Sequence, residues 1–99
     1  MAFKDPANTA CLMCEHVLSE HLPILYVSHE QDDGAWIFLC NVRDHDIGNN
    51  DFLLVALHTA TDLDPTIDQI ADLPLGFIAT RMAVGQPWLM RPDPNTRQR

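Results

Sequence analysis

The sequence predicts an α+β domain, a small antiparallel sheet of about four to five strands with two helices. Three observations point there. Residues 24–29 and 35–40 are apolar runs on either side of a Gln31-Asp32-Asp33-Gly34 turn, the pattern of a β-hairpin. Phe52 to Leu57 is an uninterrupted apolar run. Asp64-Pro65 has the chemistry of a helix start, an N-cap acid followed by proline at the first helical position.

The elements follow in chain order. Residues 8–20 are expected to open the domain as a helix. Asn8 or Thr9 can cap it, because either side chain accepts a bond from a free backbone N–H. Cys11, Cys14, Val17 and Leu18 then share one face. Pro23 ends it. A turn built around Cys11 and Cys14 is the competing reading. Ile24-Leu25-Tyr26-Val27-Ser28-His29 is rich in β-branched and aromatic residues and reads as a strand. Gly34 supplies the positive φ that the turn needs.

Ala35 to Cys40 is the return strand. Period 2 puts Trp36, Phe38 and Cys40 on one face and Ile37 and Leu39 on the other. Both faces are apolar, so the strand is expected at the centre of the sheet with cover on each side. Arg43 to Asp51 is a polar loop. Phe52 to Leu57 has the length of a buried strand, although periodicity cannot separate that from a helix. After Asp64-Pro65, Ile67, Ile70 and Ala71 form a buried stripe, and Leu73-Pro74 stops the helix. Phe77 to Met82 and Trp88 to Met90 read as two further strands joined through Gly85-Gln86-Pro87. Residues 1–90 make the single domain. Residues 91–99, with Pro92, Pro94 and polar neighbours, make a flexible C-terminal tail.

Composition narrows the class. The chain has 99 residues, of which 46% are hydrophobic, enough for one modest core and too much for a disordered chain. No apolar run approaches the roughly 20 residues of a membrane helix. The N-terminus has no signal-peptide core, so a cytosolic protein is expected. A formal net charge of −8 disfavours binding to nucleic acid or to anionic membrane, since both are polyanions.

The charge is unevenly spread. Between residues 29 and 72, Glu30, Asp32, Asp33, Asp44, Asp46, Asp51, Asp62, Asp64, Asp68 and Asp72 face the single base Arg43, a net −9. From residue 81 onward Arg81, Arg91, Arg97 and Arg99 face Asp93, a net +3. A solvated acidic face is the ordinary explanation. The sharper one is a docking face for a protein with a basic surface, which raises the association rate and selects the partner. Asp32, Asp33, Asp44 and Asp46 would supply its charge, with Trp36 and Trp88 as apolar anchors.

The cysteines carry the strongest chemical signal. Cys11-x2-Cys14 has the spacing of half a zinc site, and Cys40-x4-His45 can supply the other half. Three thiolates and an imidazole suit a closed, mainly structural zinc centre. His16, His21 and His29 can each serve as the fourth ligand in place of His45. Two further readings stay open. The three thiols can be reduced and packed as small hydrophobes, or Cys11 and Cys14 can pair as a disulfide, which a reducing cytosol disfavours. No thioredoxin-like βαβ pattern surrounds the pair.

Catalysis is not the expectation. His45 lies between Asp44 and Asp46, and His29 beside Glu30, but no nucleophile elbow and no His-Glu-x-x-His motif is present. No glycine-rich phosphate loop occurs, and the few arginines near Trp88 do not make a basic surface.

Pro23-Ile24-Leu25-Tyr26-Val27, Asp33-Gly34-Ala35-Trp36-Ile37-Phe38-Leu39-Cys40, Leu63-Asp64-Pro65, Leu73-Pro74-Leu75-Gly76 and Ala79-Thr80-Arg81 together resemble a small bacterial domain family. Some of its relatives are proposed immunity proteins of toxin systems. The likeness covers about residues 23–90, and its motifs are structural more than chemical. The family pattern often has Gly after the Trp-x-Phe strand, where this chain has Cys40-Asn41. The resemblance implies a non-catalytic protein-binding module, and it carries no catalytic residue. The alternative function is a small zinc protein with a Cys11, Cys14, Cys40 and His45 site.

Overall fold

The computed structural model describes residues 2–40 and 52–94, and its framework is a six-stranded mixed sheet. In chain order the described elements are β1 (Ala10–Cys14), α1 (Glu15–Ser19), β2 (Tyr26–His29), β3 (Trp36–Leu39), β4 (Phe52–Ala56), α2 (Leu57–Leu63), a 3₁₀ helix (Pro65–Ile70), β5 (Phe77–Thr80) and β6 (Leu89–Pro92). The strand order across the sheet is β4-β1-β3-β2-β5-β6. The α+β class agrees with the sequence pattern. The sheet is wider than expected, and one pairing, β1 with β3, is parallel.

The largest departure is at residues 8–20. The chain enters as strand β1 and only then turns into the five-residue helix α1. The apolar spacing of Cys11, Cys14, Val17 and Leu18 fits a helix face, but Cys11 and Met13 also alternate with Ala10 and Leu12. Pairing decides between the two. β1 finds a partner on both sides, with Met13 opposite Phe38 of β3 and Leu53 of β4. Two ladders satisfy the backbone across residues far apart in sequence, and that outweighs a local helical preference.

The β2–β3 hairpin forms where the sequence puts it. Val27 pairs with Phe38 and His29 with Trp36. Glu30 N–H donates to the Ala35 carbonyl at 2.8 Å, and Gly34 takes φ +72° in the turn. β3 is central in the sheet, with Trp36 and Phe38 buried. Ile37 and Leu39 on its other face are only half-buried.

β4 differs from expectation. It is an edge strand, and Leu54 is 73% exposed, so residues 52–56 are not a fully buried strand. Residue 57 belongs to α2, which follows directly.

The other edge is β6. It runs to Pro92, two residues into the segment expected as tail. Asp93 N–H donates to the Gly76 carbonyl at 2.8 Å. This phases the ladder so that Pro92, opposite Phe77, occupies a non-hydrogen-bonded position. Its missing N–H therefore costs the sheet nothing, and it leaves the free edge without a donor there.

One sheet face builds the core. Cross-strand pairing aligns Cys11, Met13, Val27, Trp36, Phe38 and Ala79 on it. Leu57 and Ala60 of α2, Ile67 and Ile70 of the 3₁₀ helix, and Leu73 complete the buried cluster. Phe3, ahead of β1, closes one end by packing edge-on against Trp36, with ring centroids 4.9 Å apart.

Asp64-Pro65 starts a 3₁₀ helix, and Thr66 N–H donates to Asp64 Oδ1 at 3.0 Å, as an N-cap requires. The same carboxylate is held by a residue 17 positions further along the chain. Arg81, just past β5, donates to Asp64 Oδ2 at 2.7 Å, to Thr66 Oγ1 at 2.8 Å, and to the Ile24 carbonyl through Nε and Nη2. Its guanidinium lies 4.2 Å from the centre of the Trp88 ring. Arg81 is thus a buried tie among three segments and contributes nothing to a basic surface.

Candidate metal centre

Parallel pairing of β1 with β3 brings the C-terminal ends of both strands to the same end of the sheet. Leu12 lies opposite Ile37 and Met13 opposite Phe38, so Cys14 closes β1 beside the point where Cys40 follows β3. The chain then turns into α1, whose second residue is His16. Cys14, His16 and Cys40 are brought together in this way. Their ligand atoms all lie within 4.8 Å of one another.

The contacts are specific. Cys40 N–H donates to Cys14 Sγ at 3.2 Å. Cys40 Sγ is 4.0 Å from His16 Nδ1. Both cysteines are fully buried, and His16 is half-buried. Burial raises the Cys14 thiol above its ordinary value, because the anion loses its hydration. The backbone N–H groups of Cys40 and Val17 pull it back down, and the neighbouring Cys40 adds a smaller upward push.

Two sulfurs and one imidazole nitrogen match the donor preferences of zinc. In a tetrahedral zinc site the sulfurs stand about 3.8 Å apart, given Zn–S bonds of about 2.3 Å. Side-chain rotations of about an ångström would draw the three atoms onto such a centre. Three protein ligands leave one tetrahedral position to a further donor.

Two of the four ligands expected from sequence are here, Cys14 and Cys40. Cys11 is not. Its sulfur donates to the Val55 carbonyl at 3.4 Å, on the side of β1 toward β4. On a strand, residues three apart are separated by about 10 Å, so Cys11-x2-Cys14 cannot act as a zinc half-site or a disulfide here. The two-residue spacing works in a turn, and this segment is extended. His45 lies outside the described residues. His16 joins the two cysteines, because α1 begins immediately after Cys14. His29 and His21 stand apart from the cluster. His29 stacks on Trp36 with centroids 3.8 Å apart, and its Nδ1–H donates to the Leu73 carbonyl at 2.7 Å. His21 is exposed just after α1.

The residues expected at a docking face separate as well. Asp32 and Asp33 are exposed in the β2–β3 turn. Trp36 is 2% exposed, and its indole N–H donates to Asp5 Oδ2 at 3.2 Å, so it is a core residue and not a surface anchor. Trp88 is half-buried under Arg81. Asp44 and Asp46 lie outside the described residues. Among the described residues no helix is long and apolar enough to cross a membrane.

Comparison with known proteins found no matching family model, no matching curated protein and no matching solved structure.

Proposed function

We propose that this chain is a small zinc-binding protein in which the metal is mainly structural. The observation that carries the reading is the convergence of Cys14, His16 and Cys40 from two strand ends and a helix start. A metal held there would pin α1 and β1 to the end of β3. That junction gains from a clamp, because α1 has only five residues and no side-chain cap. Binding would release thiol protons, so affinity would fall as pH is lowered.

The test is elemental analysis of protein purified without chelator, followed by cobalt(II) substitution. Near-stoichiometric zinc and sulfur-to-cobalt charge-transfer absorption support the reading. Cys14→Ser and Cys40→Ser abolish both, and Cys11→Ser retains both. Zinc below about a tenth of an equivalent, with no cobalt absorption in the wild-type chain, overturns it.

A second reading is a non-catalytic docking module of the immunity type, for a protein with a basic surface. Two features support it. The sheet face opposite the core carries half-buried Leu12, Ile37 and Leu39, flanked by exposed Leu54 and Leu89. Met82, Val84 and Met90 add exposed apolar surface around β6. Charge would steer such a partner and apolar contact would hold it. Recovery of a basic protein at low salt, lost on Leu54→Lys or Leu89→Lys, supports docking. Recovery unaffected by both substitutions counts against it.

A further inference from the structure

We infer that Cys14 and Cys40, when no metal occupies them, close to an intrachain disulfide on reaction with a peroxide, making this end of the sheet a thiol–disulfide switch. The inference uses two of the proposed zinc ligands, but it does not require zinc to bind.

Geometry selects this pair. Adjacent strands are about 4.8 Å apart and the rise along a strand is about 3.3 Å per residue. Continuing the β1–β3 register, Cys40 lies one residue beyond the position opposite Cys14. The two Cα atoms are then about 6 Å apart, inside the range that a disulfide spans. The sulfurs are already within 4.8 Å, and Cys40 N–H fixes the Cys14 side chain toward its partner at 3.2 Å.

The same arithmetic excludes Cys11. It stands three residues from Cys14 on an extended strand, about 10 Å away, and farther still from Cys40. Its sulfur is also engaged by the Val55 carbonyl.

The chemistry balances with a peroxide as oxidant. One cysteine gives up its proton and its thiolate attacks a peroxide oxygen, breaking the O–O bond; the departing hydroxide takes up that proton, leaving a sulfenic acid and, for hydrogen peroxide, one molecule of water. The second thiol displaces the sulfenic oxygen as a further water and forms the S–S bond. Two thiols are oxidised, and one peroxide is reduced to two waters. A dithiol reductant reverses the step by exchange. Access comes through α1. This five-residue helix has no side-chain cap at its N-terminus and fully buries only Val17, so opening it locally costs little and admits a water-sized oxidant.

The experiment treats the full chain, stripped with chelator, with stoichiometric hydrogen peroxide, then maps its peptides by mass spectrometry. The expected product is a monomer that has lost two hydrogens, linked Cys14 to Cys40. Cys11 remains alkylatable after denaturation, and dithiothreitol restores all three thiols. Cys11→Ser gives the same product. A link through Cys11, a link between chains, sulfinic acid without a link, or no reaction overturns the inference. Repeating the reaction on zinc-treated protein separates the two proposals. A chain that holds zinc but yields no link when stripped overturns only the switch. A chain that yields the link but binds neither zinc nor cobalt overturns only the metal reading.

Discussion

Arg81 and Asp64 form a buried ion pair, 2.7 Å between Nη2 and Oδ2, across 17 residues of sequence. The arginine side chain has no exposure and the aspartate side chain 12%. One oxygen of Asp64 caps the 3₁₀ helix while the other holds Arg81. The pair therefore couples helix initiation to the end of β5 and, through the Ile24 carbonyl, to the segment entering β2.

Breaking that pair on one side is expected to be costly. Arg81→Met leaves Asp64 partly buried without its cation, and Asp64→Ala leaves Arg81 without its carboxylate. Each substitution should destabilise the fold by about 3–5 kcal/mol. Urea unfolding of the two variants and of the double variant checks this. The double variant should recover part of the loss, because it strands no charge. Strict additivity would show that the pair is not coupled.

Cys11 predicts an alkaline loss of stability. Burial pushes its thiol up from 9.0 to about 11 in the folded chain. The unfolded chain ionises near 9.0 while the folded thiol stays neutral. The stabilisation is fully present below pH 9 and is lost progressively between pH 9 and 11. Cys11→Ala should flatten that part of the pH–stability curve while lowering it overall by removing a buried sulfur. Chemical unfolding at pH 8, 9, 10 and 11 is the measurement. An unchanged slope in the variant would assign the effect to Cys14 or Tyr26, which burial shifts in the same direction.

His21 is the one non-glycine with positive φ among the described residues, at +55°. It lies one residue beyond the α1 C-cap, Glu20, where chains commonly place glycine. The imidazole is exposed. His21→Gly relieves the left-handed strain and gives back part of that gain as backbone entropy. A net stabilisation of about 0.5–1 kcal/mol is expected, read as a rise in Tm of several degrees. A fall in Tm would mean that the imidazole makes a stabilising contact.

Trp88 carries a buried indole N–H with no hydrogen-bond partner among the described residues. The ring itself is used, since Arg81 lies over it. Trp88→Phe keeps a face for the cation and removes the unsatisfied donor, so its cost should stay within about 1 kcal/mol. Trp88→Ala loses the ring and should cost about 3 kcal/mol. Equal losses in the two variants would show that the indole nitrogen, rather than the ring face, matters.

Two elements were legible from sequence because their chemistry is local. The hairpin is written in apolar runs around Gly34, whose φ of +72° is what the turn needs. The Asp64-Pro65 start is written in a side chain that reaches a backbone N–H two residues on. The Cys14, His16 and Cys40 cluster was legible only in part. Cys14 and Cys40 are recognisable as soft ligands, but no periodicity shows that β1 and β3 run side by side. An apolar segment followed directly by Glu15-His16 could have hinted that His16 sits next to Cys14.

By itself, then, the sequence determined the α+β class, the hairpin, the capped helix start and the residue types able to hold a soft metal. Each of these depends on side chains within a few residues of one another. The tertiary structure decided that residues 10–14 are a strand, that β4 is an edge, that Trp36 belongs to the core, and that Cys14 meets Cys40 and His16 while Cys11 turns away. Those outcomes follow from strand pairing between residues distant in the chain, such as Met13 with Phe38 and with Leu53, where register, and not spacing along the chain, fixes which atoms meet.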